Sequence, residues 1–117
     1  MKDKEQFLDY LEDIIDAMEK GEKFTHNMKF NDFNNDDKTI FAVIRALEII
    51  GEATKKIPKF FRKKYPKIPW KKMAGMRDKM IHDYFGVDLK VIWKTIKNEV
   101  PTVKPYLKEV VEDIKKK

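Results

Sequence analysis

The chain has 117 residues, 26 of them Lys or Arg and 20 Asp or Glu, giving a formal net charge of +6, and it has no cysteine. That length suits one domain (residues 1–117) with a core able to fold alone, while the missing cysteine excludes disulfide frameworks, thiolate zinc sites and cysteine nucleophiles. No apolar stretch approaches the ~20 residues a bilayer span needs, and the acidic, amphipathic start MKDKEQFLDYLED is no secretory signal, so a cytoplasmic protein without membrane attachment is expected.

In the first segment Phe7, Leu8, Leu11, Ile14, Ile15 and Met18 recur at steps of three and four, which predicts an amphipathic helix. Asp3 and Gln6 have the spacing of a capping box at its start, and Gly21 is a weak point or an end. His26 to Lys38, rich in Asn and Asp, reads as a loop with one turn around Phe30 and Phe33, whose rings pin it to the core. His26 is expected at the surface. The acidic residues Asp32, Asp36 and Asp37 lack the glycine and terminal glutamate of a calcium loop.

A second helix is predicted over 37–57, with Ile40, Ile44, Leu47, Ile50 and Thr54 as one stripe, widened by Val43 and Ile57. Pro58 stops it, because proline disfavours helical geometry in the residue before it. Lys59 to Tyr65 form a short helix closed by Pro66. Pro69 and Trp70 open a third long helix running to Phe85, with Gly86 just past its end. Asp88 N-caps the next helix, lined by Leu89, Ile92, Trp93 and Ile96, with Val87 and Ile92 as a hydrophobic staple. Pro101 and Pro105 mark the entry to a last helix with the stripe Tyr106, Leu107, Val110, Val111 and Ile114. Gly51 and Gly75 cost helix stability and are expected at close helix contacts. Trp70, Trp93, Phe60 and Phe61 are expected in the core or in a seam. Without β alternation or repeats, the fold is predicted to be all-α, a four- to five-helix up-and-down bundle.

Chemistry concentrates in Arg77-Asp78-Lys79-Met80-Ile81-His82-Asp83-Tyr84. A helix turns about 100° per residue, so Arg77 and Tyr84 share one stripe and Asp78 and His82 share another, roughly 100–140° away. Asp78 can accept a hydrogen bond from one imidazole nitrogen and leave the other free for proton transfer. The helix C-terminal dipole, Asp78 and Asp83 favour the imidazolium, and Arg77 opposes them. Cleaving RNA requires a base for the 2′-hydroxyl, positive charge on the phosphorane-like transition state and an acid for the 5′-oxygen. Histidine can take either proton role, and the arginine fork suits the phosphate. One histidine supplies one of the two roles. A symmetric dimer bringing two such helices together would supply both. By itself R-x-x-x-x-H is a common pattern, and its plain reading is a solvated Arg77 beside a structural His82.

The wider sequence AVIRALEIIGEATKKI, followed by YPKIPWKKMAGMRDKMIHDYFGVDLKVIW, resembles the HepT-like ribonucleases of the HEPN superfamily over nearly the whole chain. The resemblance implies a helical bundle that dimerises through the R-x-x-x-x-H helices and cuts RNA without a metal. It implies catalytic roles for Arg77 and His82, with Asp78 as the polar residue that follows the arginine. It further implies the toxin of a type VII toxin–antitoxin pair, whose partner is a minimal nucleotidyltransferase that uses ATP to modify Tyr84 with AMP and silence the toxin. Attached phosphates on Tyr84 would occupy the anion site of Arg77 and block RNA.

Arg45, Glu48 and Glu52 lie within about 60° of one another on the second helix. They either border the cleft and hold Arg77 by ion pairing or form an ordinary solvated face. With two distant histidines and no cysteine, neither a transition-metal site nor a cofactor is expected. Two further readings stand beside the dimeric ribonuclease: a non-catalytic dimer that binds RNA, nucleotide or a nucleotidyltransferase, and a purely structural helical dimer.

Overall fold

The computed structural model describes residues 2–82 and 88–116, with side chains at 3–76 and 88–116. Among the described residues the chain is helical, with no strand. In chain order the elements are α1 (Lys2–Phe24), α2 (Phe30–Asn34), α3 (Asp37–Lys55), α4 (Lys59–Arg62), α5 (Trp70–His82), α6 (Leu89–Lys94), a π-helical turn (Thr95–Glu99) and α7 (Val100–Lys116). α3 is sandwiched between α1 and α5, and α7 closes the opposite side of α1.

α1 buries its apolar stripe: Leu11 and Ile14 are fully inaccessible and Met18 nearly so. The helix already includes Lys2, so Asp3 is a first-turn residue and not the expected cap. There its carboxylate faces the positive end of the helix dipole. Gly21 does not end α1, which runs on to Phe24. Instead Gly21 is buried beneath Ile96, where a Cβ would come within 2.8 Å of Ile96 Cδ1. The stop lies further on. Thr25 Oγ1 donates to the Gly21 carbonyl at 2.9 Å, and Asn27 takes a left-handed φ of 60°, a conformation asparagine tolerates better than most residues.

The predicted turn within the 26–38 segment is α2. Phe33 is fully buried with its ring 5.2 Å from that of Trp93, and Phe30 packs at the core edge. Asp36 then N-caps α3, accepting from Thr39 N at 3.1 Å and from Thr39 Oγ1 at 2.8 Å. These bonds hold its carboxyl below the ordinary value. Along α3 the stripe Val43, Ile44, Leu47, Ile50 and Thr54 is buried. Thr54 satisfies its hydroxyl on the Ile50 carbonyl at 2.7 Å, as a buried hydroxyl must. α3 ends at Lys55, two residues short of the predicted end, and Ile57 enters the core from the following turn.

Arg62 seals that end of α3. Its Nε donates to the Ile57 carbonyl at 2.9 Å and its Nη2 to the Thr54 carbonyl at 2.8 Å, satisfying carbonyls left free at a helix C-terminus. Trp70 Nε1 donates in turn to the Arg62 and Tyr65 carbonyls. Trp70 and Phe61 lie in the core and Trp93 packs at its edge, whereas Phe60 is 59% exposed, its ring 5.9 Å from that of Phe7 in an edge arrangement. Burial, and then a 2.6 Å hydrogen bond to Asp113, push the Tyr65 hydroxyl up to about 12.

The C-terminal part departs most from expectation. Asp88 caps α6 as predicted, accepting from Lys90 N at 2.9 Å. But Pro101 and Pro105 do not open a separate helix. α6, the π turn and α7 form one helical run over 89–116, with both prolines inside it. Proline has no N–H and its ring collides with the carbonyl four residues back. The π turn ends at Glu99, just before Pro101, and Val100 N–H reaches back to the Thr95 carbonyl. The widened register gives the ring room without breaking the helix. Gly75 is exposed, and a Cβ there would meet nothing among the described residues, so it does not lie in the core of the chain.

Candidate active site

The sequence-predicted residues Arg77, Asp78 and His82 all fall on α5, which packs along α3. Backbone geometry therefore keeps position 77 on one stripe of α5, with 78 and 82 on a neighbouring one. Their side-chain contacts, and Asp83, Tyr84, Phe85, Gly86 and Val87 altogether, lie outside the described residues.

α3 presents a polar stripe. Arg45 Nη1 is 3.4 Å from Glu52 Oε1 and 4.0 Å from Glu48 Oε1. The arginine is 58% exposed, Glu48 23% and Glu52 36%. Spacings of three and four residues put all three on one helix face. At this exposure and distance the pairs contribute only ~0–1 kcal/mol to stability. The stripe is therefore not a fold-stabilising device of any size.

One connection was not read from the sequence. Lys72 of α5 forms a salt bridge with Glu99 at the end of the π turn, and this bond, outweighing partial burial, lowers the Glu99 carboxyl. Beside it is a recess of about 370 Å³ lined by Met18, Met73, Met76, Val100 and Val103. The spacing of Met73 and Met76 was a visible signal of an apolar face on α5. That this face opens as a recess depends on the π turn, which hydrophobic periodicity does not encode. No group of His, Asp or Glu among the described residues is arranged to hold a metal ion, and none of their helices is long and apolar enough to cross a membrane.

Comparison with known proteins places this frame. The family described as ribonuclease HepT-like matches residues 14–110. The "Probable ribonuclease HepT" of Thermococcus cleftensis is 58% identical over 101 residues, covering 86% of this chain and 92% of the relative. Two Methanocaldococcus jannaschii proteins, each titled "Putative RNase", are 49% and 48% identical over 108 residues, covering 92% of this chain and 89% and 93% of theirs. No solved structure matches. The matched span contains α3, α5 and the whole octad, and the chain belongs to the HepT-like ribonuclease family.

Proposed function

We propose that this chain is a metal-independent endoribonuclease whose active site is completed at a homodimer interface, and that it is the toxin of a type VII toxin–antitoxin pair. The observation that carries the reading is the placement of R-x-x-x-x-H on a single helix, α5, within the span matched by the ribonuclease family. In this reading His82 of one protomer takes the 2′-hydroxyl proton as the 2′-oxygen attacks phosphorus. The bond to the 5′-oxygen breaks, and His82 of the second protomer protonates that oxygen. Arg77 binds the phosphate and the charge that builds on it. Asp78, one turn before His82, orients the imidazole. Arg45, Glu48 and Glu52 support the site from α3, holding Arg77 by ion pairing. The products are a 2′,3′-cyclic phosphate and a free 5′-hydroxyl.

Control follows from Tyr84. Its hydroxyl attacks the α-phosphorus of ATP on a minimal nucleotidyltransferase partner, pyrophosphate leaves, and the attached AMP fills the Arg77 anion site.

Purified protein should cut RNA in excess EDTA and leave cyclic phosphate ends. His82→Ala should lose at least ~100-fold in rate, the scale of a general acid–base group. Equal rates for parent and His82→Ala would reject the catalytic assignment. Binding that survives His82→Ala, in a parent that cuts no RNA, would favour the non-catalytic dimer. Mass spectrometry after co-expression with the nucleotidyltransferase should map AMP to Tyr84. Adducts elsewhere with Tyr84 bare would remove its regulatory role.

A further inference from the structure

The positive charge of the chain is not spread evenly. From Ala53 to Arg77 there are ten Lys or Arg residues and no Asp or Glu, whereas the remaining 92 residues carry 16 basic and 20 acidic side chains. The net +6 of the molecule therefore comes entirely from one segment, which covers the end of α3, all of α4 and α5 as far as Arg77.

The fold uses some of these cations internally. Arg62 donates to the carbonyls that end α3, Lys72 is paired with Glu99, and Lys56 and Lys67 lie over the rings of Tyr10 and Tyr106. Lys59, Lys63 and Lys64 are different. All three are exposed, and none has an ion-pair partner among the described residues. They sit on and just after the single turn of α4. Like charges held this close repel one another, a cost that a bound polyanion removes.

An aromatic ring in the same place narrows the choice of polyanion. Phe60 is 59% exposed, and Lys63 and Lys64 follow it by three and four residues, the spacing of neighbours on a helical turn. Phe60, Lys64 and Lys4 line one shallow recess of about 260 Å³, with Asp3 as the carboxylate at its edge. An exposed ring among cations is the arrangement that holds single-stranded nucleic acid: the cations track the phosphates and the ring stacks on a base, whatever that base is. A duplex would use the lysines alone, because its bases are already stacked on one another.

The position of α4 supplies the link to function. Trp70 Nε1 donates to the Arg62 and Tyr65 carbonyls at 3.1 and 3.0 Å, which ties the end of α4 to the first residue of α5. Arg77 is seven residues further on, roughly 10 Å along the helix axis. At about 3.4 Å per stacked nucleotide, a strand held at Arg77 covers that length within a few nucleotides.

We propose that α4 carries an accessory binding site for single-stranded RNA, in which Lys59, Lys63 and Lys64 meet phosphates and Phe60 stacks on a base without choosing among bases. The site rests on the ribonuclease reading for its role in cleavage, but its binding can be measured apart from cleavage, in the His82→Ala protein with labelled oligouridylate and oligoadenylate. In that background Lys59→Gln, Lys63→Gln and Lys64→Gln combined should weaken binding and flatten the dependence of log K on log salt by about 2, three contacts at ~0.7 each on a single strand. Lys20→Gln, Lys23→Gln and Lys108→Gln combined remove the same charge from exposed positions of α1 and α7 and should leave that slope as it is. Phe60→Leu keeps an apolar group beside Phe7 but removes the stacking face. It should weaken single-strand binding roughly ten-fold and leave duplex binding unchanged. Equal slopes for the two triple variants would overturn the proposal, because net charge alone would then explain the binding. So would a Phe60→Leu effect as large on duplex as on single strands. Unchanged RNA binding with weakened capture of the nucleotidyltransferase would overturn it in favour of a protein-docking surface. RNA held through α4 by a parent protein that cuts none would support the accessory site and reject the ribonuclease reading instead.

Discussion

At the scale of single residues, the same side-chain type serves different purposes according to what surrounds it. Of the three arginines, Arg62 is spent on the carbonyls that end α3, Arg45 is paired with two glutamates on an exposed face, and Arg77 is placed on α5. Composition cannot separate these roles. Helical spacing pointed to Arg77 and grouped Arg45 with its glutamates, while the duty of Arg62 depends on a chain reversal around Pro58. Gly21 is a second case. Read alone it weakens a helix, but in the fold it admits Ile96, a fully buried side chain. Gly21→Ala gains helix propensity of up to ~1 kcal/mol and loses ~1–3 kcal/mol to overpacking, so a net loss of about 1–2 kcal/mol is expected. Ile96→Val removes the clashing Cδ1 at a cost of about 1 kcal/mol by itself. The double variant should therefore cost less than the two single variants added together. Urea unfolding of all four proteins measures this, and strict additivity would show that the contact is relaxed.

At the scale of elements, capping and periodicity explain where most helices start and what they bury. Asp36 caps α3 through two bonds to Thr39, which lower its carboxyl from the ordinary 3.8. A lowered carboxyl contributes stability that is present above the unfolded value and is lost as pH falls through the folded one. Asp36→Ala should thus lower the thermal midpoint at neutral pH, and its difference from the parent should shrink as the pH drops below about 3.8. A difference independent of pH would mean that the capping bonds are not what Asp36 contributes. The C-terminal run was the element least accessible to local rules. Two prolines normally announce a helix start, and here they sit within a run that continues through a π turn. Packing against α1 settles the outcome. Ile96, Val100, Leu107 and Val110 are all buried, and breaking the run at Pro101 would pull this line of side chains out of register. Lys97 reinforces the junction, donating to the Thr25 carbonyl at 3.0 Å with its ammonium 5.1 Å from the Trp93 ring.

At the scale of the molecule, the proposed chemistry requires two copies, because each chain places one histidine on α5. This has a measurable consequence. When parent and His82→Ala proteins are mixed in equal amounts and allowed to exchange subunits, random pairing leaves about half of the parent chains in parent dimers. RNA cleavage per parent chain should fall to about half, and further as the variant is added in excess. Cleavage per parent chain that stays constant would place the whole site within one protomer.

What the sequence determined by itself was the helical class, the apolar faces of α1, α3 and α7, the cap at Asp88, and the concentration of chemistry on α5. These are local properties. Helical spacing reports which side chains share a face, and residue type reports what that face can do. In the sequence Asp36 is one residue of an acidic loop, because its capping role needs the exact first turn of α3. The tertiary structure decided the rest: that Gly21 is a seat for Ile96, that Arg62 closes α3, and that a π turn carries the chain past Pro101. Each of these depends on residues far apart in the chain meeting across helices, and no periodicity within a single helix specifies where such a meeting occurs.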